Sequence, residues 1–290
     1  MPTFTIEPRG PFSLEESAMF GFGQRSSQRF DGVMRLAFCL DDFSGQVGVE
    51  VRQDGTGVHC TFEGPGPGDP IRRQVARVLS LDHDATGFVS VADRDPVIAR
   101  LQAAAPGLRP PLFYSPYEAA AWVVLSSRRS PQQMHRVRQR LSEAQGASFE
   151  LAGETLAALP TPRQLLAIDT FPEIPPVKME RLHGVAQAAL KGQLNADRIR
   201  SQDPEVAMKE LQQIKGIGPF YAALILIRAS GVTDVLPPNE PRVRELARDL
   251  YGLNSTPTVE EFSEIAEPWT PWRTWAVVLM RAAGPRVLPA

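Results

Sequence analysis

Short runs of alternating apolar and polar residues fill the first third of the chain. "TFTIEP", "GVMRLAFCL", "GQVGVEVRQ" and "GVHCTFEG" place β-branched or aromatic residues at every second position. Gly/Asp-rich turns, "DDFSG" and "QDGTG", separate the later runs, which predicts an antiparallel meander. Helical periodicity interrupts it. "SLEESAMFGF" opens on Ser13 with Glu16 three positions on, a capping-box pattern. "PIRRQVARVLSL" and "DPVIARLQAAA" also read as helices. The Pro/Gly-rich stretch "APGLRPPLFYSP", 105–116, is the best domain boundary. Beyond it strands nearly vanish. From "SPYEAAAWVVLSS" to "WRTWAVVLMRAAG" the apolar positions recur with helical spacing, and most segments start at Ser, Thr, Asp, Asn or Pro and end at Gly. No repeat of fixed period is present. The expected fold is α+β: a small antiparallel β-sheet domain with helices over 1–110, then an all-α domain over 111–290.

The composition narrows the function little. The 290 residues carry a net charge of −2 with pI near 6.1, so any nucleic-acid surface must come from local clustering. Cys39 and Cys60 lie in apolar alternating runs and read as buried free thiols; two cysteines exclude a four-cysteine iron–sulfur site. No stretch approaches the ~20 apolar residues of a membrane span. The N-terminus has no basic region followed by an apolar core, so the expectation is a cytoplasmic protein.

One segment invites a chemical reading. In "LQQIKGIGPFYAALILIRASG" a helix ends near Ile214, two glycines follow, and Pro219 sits where a first helical turn accepts proline. Helix, glycine hairpin, helix over 206–228 directs the amides of Ile217 and Gly218 outward at the positive end of a helix, which makes an anion site. A nucleotide loop is excluded, because neither Gly-x-x-x-x-Gly-Lys-Ser/Thr nor a strand followed by Gly-x-Gly-x-x-Gly is present. Two readings stay open from these residues alone: a DNA-phosphate cradle, or a tight turn whose glycines serve packing.

The segment, continued as "DVLPPNEPRVRELARDLYG", resembles the helix-hairpin-helix DNA glycosylases, most closely the 3-methyladenine DNA glycosylase II branch of alkylation repair. "PPLFYSPYEAAAWVVLSSRRSPQQMHRVRQRL" is similar to that family's first helical pair. "FPEIPPVKMERLHGVAQA" is similar to its Gly-x-x-x-x-Lys-Ala-x-x-Leu segment, and "EPWTPWRTWAVVLMRAAG" to its last helix with a Pro-Trp-Arg triplet. A β-rich part before the helices also fits, so the resemblance covers nearly the whole chain.

The resemblance implies a monofunctional glycosylase acting on damaged bases in double-stranded DNA, with duplex DNA as the partner, a monomeric protein and no membrane. It places Glu240 at the catalytic acid, with Asn239 at the preceding acid of the family's Pro-x-Asp-Asp segment. Glutamate keeps the charge but shifts the carboxylate by roughly 1.5 Å, about one carbon–carbon bond. By itself Glu240 reads equally as a solvated acid at a helix start. Ser127 falls at a family glutamine and Arg128 at the apolar wedge that fills the gap left by a flipped base. Lys215, Gly216, Ile217, Gly218, Arg128 and Arg129 are the expected DNA contacts, within a run that also holds Arg136, Arg138 and Arg140. Phe220, Leu224, Trp272 and Arg281 are the expected base pocket, where an arginine disfavours a cationic base. Phe220 also stands where lyase relatives carry lysine, so no Schiff-base chemistry is expected. No cofactor is implied beyond a monovalent cation on the backbone carbonyls of Gln212, Ile214 and Ile217. The departures at Glu240, Ser127 and Arg281 leave a rival reading: a catalytically weak glycosylase-fold protein that binds damaged or bent DNA. A shift in base specificity is a third.

Overall fold

The computed structural model describes residues 1–20, 30–237 and 240–288. Strand β1 (Thr3–Ile6) and helix α1 (Leu14–Phe20) precede β2 (Met34–Cys39), β3 (Gln46–Asp54) and β4 (Gly57–Glu63). Helices α2 (Gly68–Val78), α3 (Thr86–Val89) and α4 (Pro96–Ala104) follow. The second part holds α5 (Pro116–Ser126), α6 (Pro131–Gln145), β5 (Ser148–Leu151), β6 (Glu154–Ala157), α7 (Pro162–Leu166) and α8 (Pro176–Leu190). Then come α9 (Ala196–Ser201), α10 (Pro204–Leu211), α11 (Pro219–Ala229), α12 (Pro241–Tyr251), α13 (Val259–Ile265) and α14 (Arg273–Val287).

The four alternating runs form one antiparallel sheet of order β1-β4-β3-β2, with Leu36 opposite Val49 and Val49 opposite Phe62. Period 2 sends one set of side chains to one face. Leu36, Phe38, Val49, Val51 and Phe62 pack there against Ile71 and Val75 of α2. Both cysteines are buried and free; burial pushes the Cys60 thiol up to about 12.

The predicted helix starts carry their caps. Ser130 with Gln133, Thr161 with Gln164 and Thr258 with Glu261 make reciprocal capping boxes, and Asp95, Ser115 and Asp203 accept first-turn amides. Ser13 accepts the Glu16 amide at 3.2 Å, but the Glu16 carboxylate binds Arg286 of α14 at 2.8 Å. Among the described residues no helix is long and apolar enough to cross a membrane.

Two features depart from the sequence reading. The region after 110 is not wholly helical: β5 and β6 pair as a hairpin, Phe149 opposite Leu156, turning through Ala152 and Gly153 at positive φ. This hairpin packs on the outer face of the sheet. A Cβ on Gly48 would lie 2.6 Å from the Phe149 ring, so a mid-strand glycine lets the ring approach. The second departure concerns the boundary near 110. Val97, Ile98 and Leu101 of α4 share a core with Val243 and Ala247 of α12 and with Trp275, Val278 and Leu279 of α14. The chain changes character at 105–116, yet its last helix is clasped by its first part. A separate core joins α5, α8, α10 and α11.

Candidate active site

Helix α11 and helix α14 face each other across a cleft of about 490 Å³. Leu224 and Ile227 form one wall, and Val277 and Val278 the other. The tail of the connection from α11, Val235 and Pro237, closes the floor, and Phe220, 56% exposed, stands at the lip. Three ionisable side chains border this apolar volume: the acid Glu240 and the arginines Arg228 and Arg281. Arg281 Nη1 lies 3.7 Å from Glu240 Oε2, with side chains 33% and 21% exposed. That separation is an ion pair and too long for a hydrogen bond.

The backbone explains why Glu240 is available. It is the N-cap of α12, ahead of Pro241, with φ −119° and ψ 87°. Its carbonyl accepts the Val243 amide at 3.1 Å, while its side chain caps no amide. The carboxylate therefore turns away from its own helix and towards the cleft, where the positive end of α12 favours its charge. On its other side it borders a smaller cavity of about 210 Å³ beside Arg244 and Phe262. Asn239, aligned with the preceding family acid, lies outside the described residues.

The hairpin is present between α10 and α11. The Ile214 amide donates to Leu211 O at 3.1 Å, and the Ile217 amide to Ile214 O at 3.0 Å. Gly216 adopts φ +99°, which favours glycine, while Gly218 is the extended N-cap of α11. One expectation is corrected here: the Ile217 amide is not an outward donor, because it closes the turn. Gly218 and the first-turn amides of α11 remain to face a ligand. Ile217 itself is buried and packs the hairpin on the helical core. Backbone oxygens suit a hard monovalent cation, but Ile214 O already accepts the Ile217 amide, leaving it one lone pair for such an ion. No group of three or more His, Cys, Asp or Glu side chains could hold a metal among the described residues.

The basic run is paired more fully than its sequence implies. Arg138 turns inward to Glu118 at 3.1 Å, a buried carboxylate that also accepts the Cys39 amide at 3.1 Å. Arg140 pairs with Glu173, Arg136 approaches the same carboxylate at 4.0 Å, and Arg129 donates to the Glu173 carbonyl. Lys215 pairs with Glu180 at 2.7 Å, both exposed. These acids come from other segments, so a scan of the run alone does not find them. Arg128 differs: it is exposed at φ +55° on the loop after α5, with no side-chain partner among the described residues. Ser127 is the C-cap of α5 and its hydroxyl bonds back to Val124 O at 3.2 Å.

Trp272 is a correction. It does not line the cleft. It is the N-cap of α14 and packs away from the cleft, 4.7 Å from Trp275 and 6.0 Å from Phe88 between ring centroids. It is 9% exposed within the core that α4 shares with α14. The sequence reading also passed over Lys178 and Arg181 on α8. Lys178 is buried beside the Arg128 loop, and Arg181 packs against Gly216, where an added Cβ would lie 3.0 Å from Arg181 Cδ. The available signal was a lysine at an inward position of "PPVKMERL", between Ile174 and Leu182.

Known proteins share this sequence and geometry in part. No family model matches the chain. The DNA-3-methyladenine glycosylase of Bacillus subtilis is 27% identical over 213 residues, covering 72% of this chain and 70% of the relative. The DNA-3-methyladenine glycosylase 2 of Escherichia coli is 29% identical over 187 residues; the chain spans 62% of its length, less than two thirds. Among solved structures, the 3-methyladenine DNA-glycosylase of Archaeoglobus fulgidus superposes with a TM-score of 0.75 at 20% identity, covering 97% of each chain. The 8-oxoguanine glycosylase/lyase of Clostridium acetobutylicum, in a complex with double-stranded DNA, gives a TM-score of 0.69 at 18% identity over 99% of this chain. With the sheet, the hairpin and the acid-bearing cleft arranged in this order, the chain has the fold of the helix-hairpin-helix DNA glycosylases and is similar in sequence to the 3-methyladenine enzymes among them.

Proposed function

We propose that the protein is a monofunctional DNA glycosylase of base-excision repair, releasing alkylated bases from duplex DNA by hydrolysis of the N-glycosidic bond. The observation that carries this reading is Glu240: a carboxylate at a helix N-terminus, on the rim of an apolar cleft of about 490 Å³, one connection beyond the hairpin helix. The names of the Bacillus and Escherichia relatives support the substrate class.

A base inside the duplex is out of reach, so it must leave the stack. The walls of Leu224, Ile227, Val277 and Val278 receive its apolar faces, and Phe220 at the lip offers a ring edge. As the C1′–N bond breaks, the electron pair leaves with the base and positive charge develops on the sugar. Glu240 stabilises that charge and orients the water whose oxygen bonds to C1′; the released proton passes to the carboxylate or solvent. Phe220 at the lyase position supplies no amine, so the product is an abasic site with intact backbone. Arg281 shares its charge with Glu240 at 3.7 Å, so the rim pair is neutral and a cationic base meets less repulsion than from an unpaired arginine.

That same pair favours the second reading, a damaged-DNA binder of low activity, because it holds the one cleft carboxylate against an arginine. Incubation with alkylated duplex DNA separates the two. The catalytic reading expects methylated purines in the supernatant and no strand nicking. Tight binding without released base means the second.

A further inference from the structure

We propose that Lys178 is the positioning residue for the gap-filling loop, holding the end of α5 so that Arg128 is presented to DNA; this rests on the glycosylase reading and on Arg128 as the wedge. Lys178 Nζ donates to Ser127 O at 2.6 Å and to Leu125 O at 3.0 Å. These carbonyls end α5, where the last turn has no partners of its own and carries the negative end of the helix dipole. Arg129 Nη1 also reaches Leu125 O, at 3.2 Å, and the Arg129 amide closes on Ser126 O at 3.0 Å. Arg128 is caught between these ties.

Packing does not account for a lysine here. Lys178 is 9% exposed, sits in the first turn of α8 where the dipole disfavours a cation, and lies near Arg129 and Arg181. Burial and those two arginines hold its amine down at about 8. Methionine, which occupies the next position as buried Met179, would fill such a site without that penalty. The lysine contributes two directed hydrogen bonds across to another helix, one to Leu125 O in the last turn of α5 and one to Ser127 O at the start of the loop that carries Arg128. Arg128 needs such support. A non-glycine residue at φ +55° persists where its surroundings hold it. With Ser127 O and Leu125 O fixed, the Arg128 side chain projects outward from a rigid base, as a residue that replaces a flipped base must.

The same helix reaches the hairpin, through Arg181 against Gly216 and Glu180 against Lys215. The first turns of α8 thus brace the wedge loop and the phosphate hairpin from one rigid element.

The test is a double-mutant cycle with Lys178→Met and Arg128→Ala. Affinity is measured for a duplex carrying a tetrahydrofuran abasic analogue and for the undamaged duplex, alongside thermal unfolding. Arg128→Ala is expected to lose about tenfold of the abasic preference, within the range of a lost stacking contact. Lys178→Met is expected to lose a similar factor while undamaged-duplex affinity and melting temperature stay close to wild type. The double variant should be no worse than Arg128→Ala alone, and Lys178→Arg should retain most of the preference. If Lys178→Met does not fold, Lys178→Gln takes its place in the cycle. Additive losses, or an unchanged preference in Lys178→Met, overturn the proposal. An unchanged preference in Arg128→Ala overturns it together with the wedge assignment. Absence of base release with the expected cycle intact rejects the glycosylase reading and leaves the positioning role standing.

Discussion

The two hairpin glycines should fail in different ways when each is replaced by alanine. Gly218 has φ −87° and ψ 178°, and a Cβ built on it meets nothing within 4 Å. Alanine therefore fits the free protein. It loses about 0.5–1 kcal/mol as a poorer N-cap than glycine and regains about 0.4–1 kcal/mol by restricting the unfolded chain. The melting temperature should hardly move. The open space beside Gly218 is where a phosphate would approach the first-turn amides of α11, so the added methyl lies in the ligand's path. Losing a hydrogen bond to a charged group costs about 1.5–3 kcal/mol, roughly 10- to 150-fold in affinity. Gly216 is the reverse case. At φ +99° an alanine is strained by roughly 1–2 kcal/mol, and its Cβ would press on Arg181. Gly216→Ala should lower the melting temperature by a few degrees as well as weakening DNA binding. Calorimetry and fluorescence anisotropy on a duplex at fixed salt measure both quantities. Wild-type affinity in Gly218→Ala would refute the hairpin as a phosphate cradle.

Other residues yield sharp expectations. Glu180→Gln releases Lys215 from its 2.7 Å partner; the slope of log affinity against log salt should steepen by about 0.9, with stability nearly unchanged because the pair is exposed. Arg281→Leu leaves Glu240 unpaired at the cleft, so release of 7-methylguanine relative to neutral hypoxanthine should rise about tenfold, measured in single turnover, since one unit charge a few ångströms away is worth a kcal/mol or more at the site. Lys178 is held near 8 against an ordinary 10.5, so between those values the unfolded chain binds the extra proton. Its burial penalty is fully present below about pH 8 and is relieved as pH rises towards 10.5, by at most about 3 kcal/mol. The difference between wild-type and Lys178→Met denaturation curves isolates this gain from Cys60, whose raised pKa acts with the opposite sign above pH 9.

The features legible in the sequence were those set by local rules. Alternation marked the four strands, caps marked most helix starts, and "KGIG" before Pro219 marked the hairpin. The β5–β6 hairpin was legible in principle, through Phe149 and Leu151 before an Ala-Gly turn, but its strands are short and lie among helices. What escaped depends on direction and on distant partners. Periodicity cannot say that Trp272 turns towards Phe88 and not towards the cleft. A local scan of Arg136, Arg138 and Arg140 cannot reveal Glu118 and Glu173 waiting on other elements. The Ile217 amide could be assigned only once the turn closed on Ile214 O. Glu240 was legible from its place after the hairpin helix, whereas its pairing with Arg281 is a property of the packed α12 and α14.

The central claim is that Glu240 is the catalytic carboxylate. Single-turnover release of 3-methyladenine from a defined duplex, with wild type, Glu240→Gln and Glu240→Asp, tests it most directly. The expected result is release by wild type that falls at least ~100-fold in Glu240→Gln, the scale of one lost electrostatic contact in the transition state, with DNA affinity unchanged. Equal release by wild type and Glu240→Gln would contradict it.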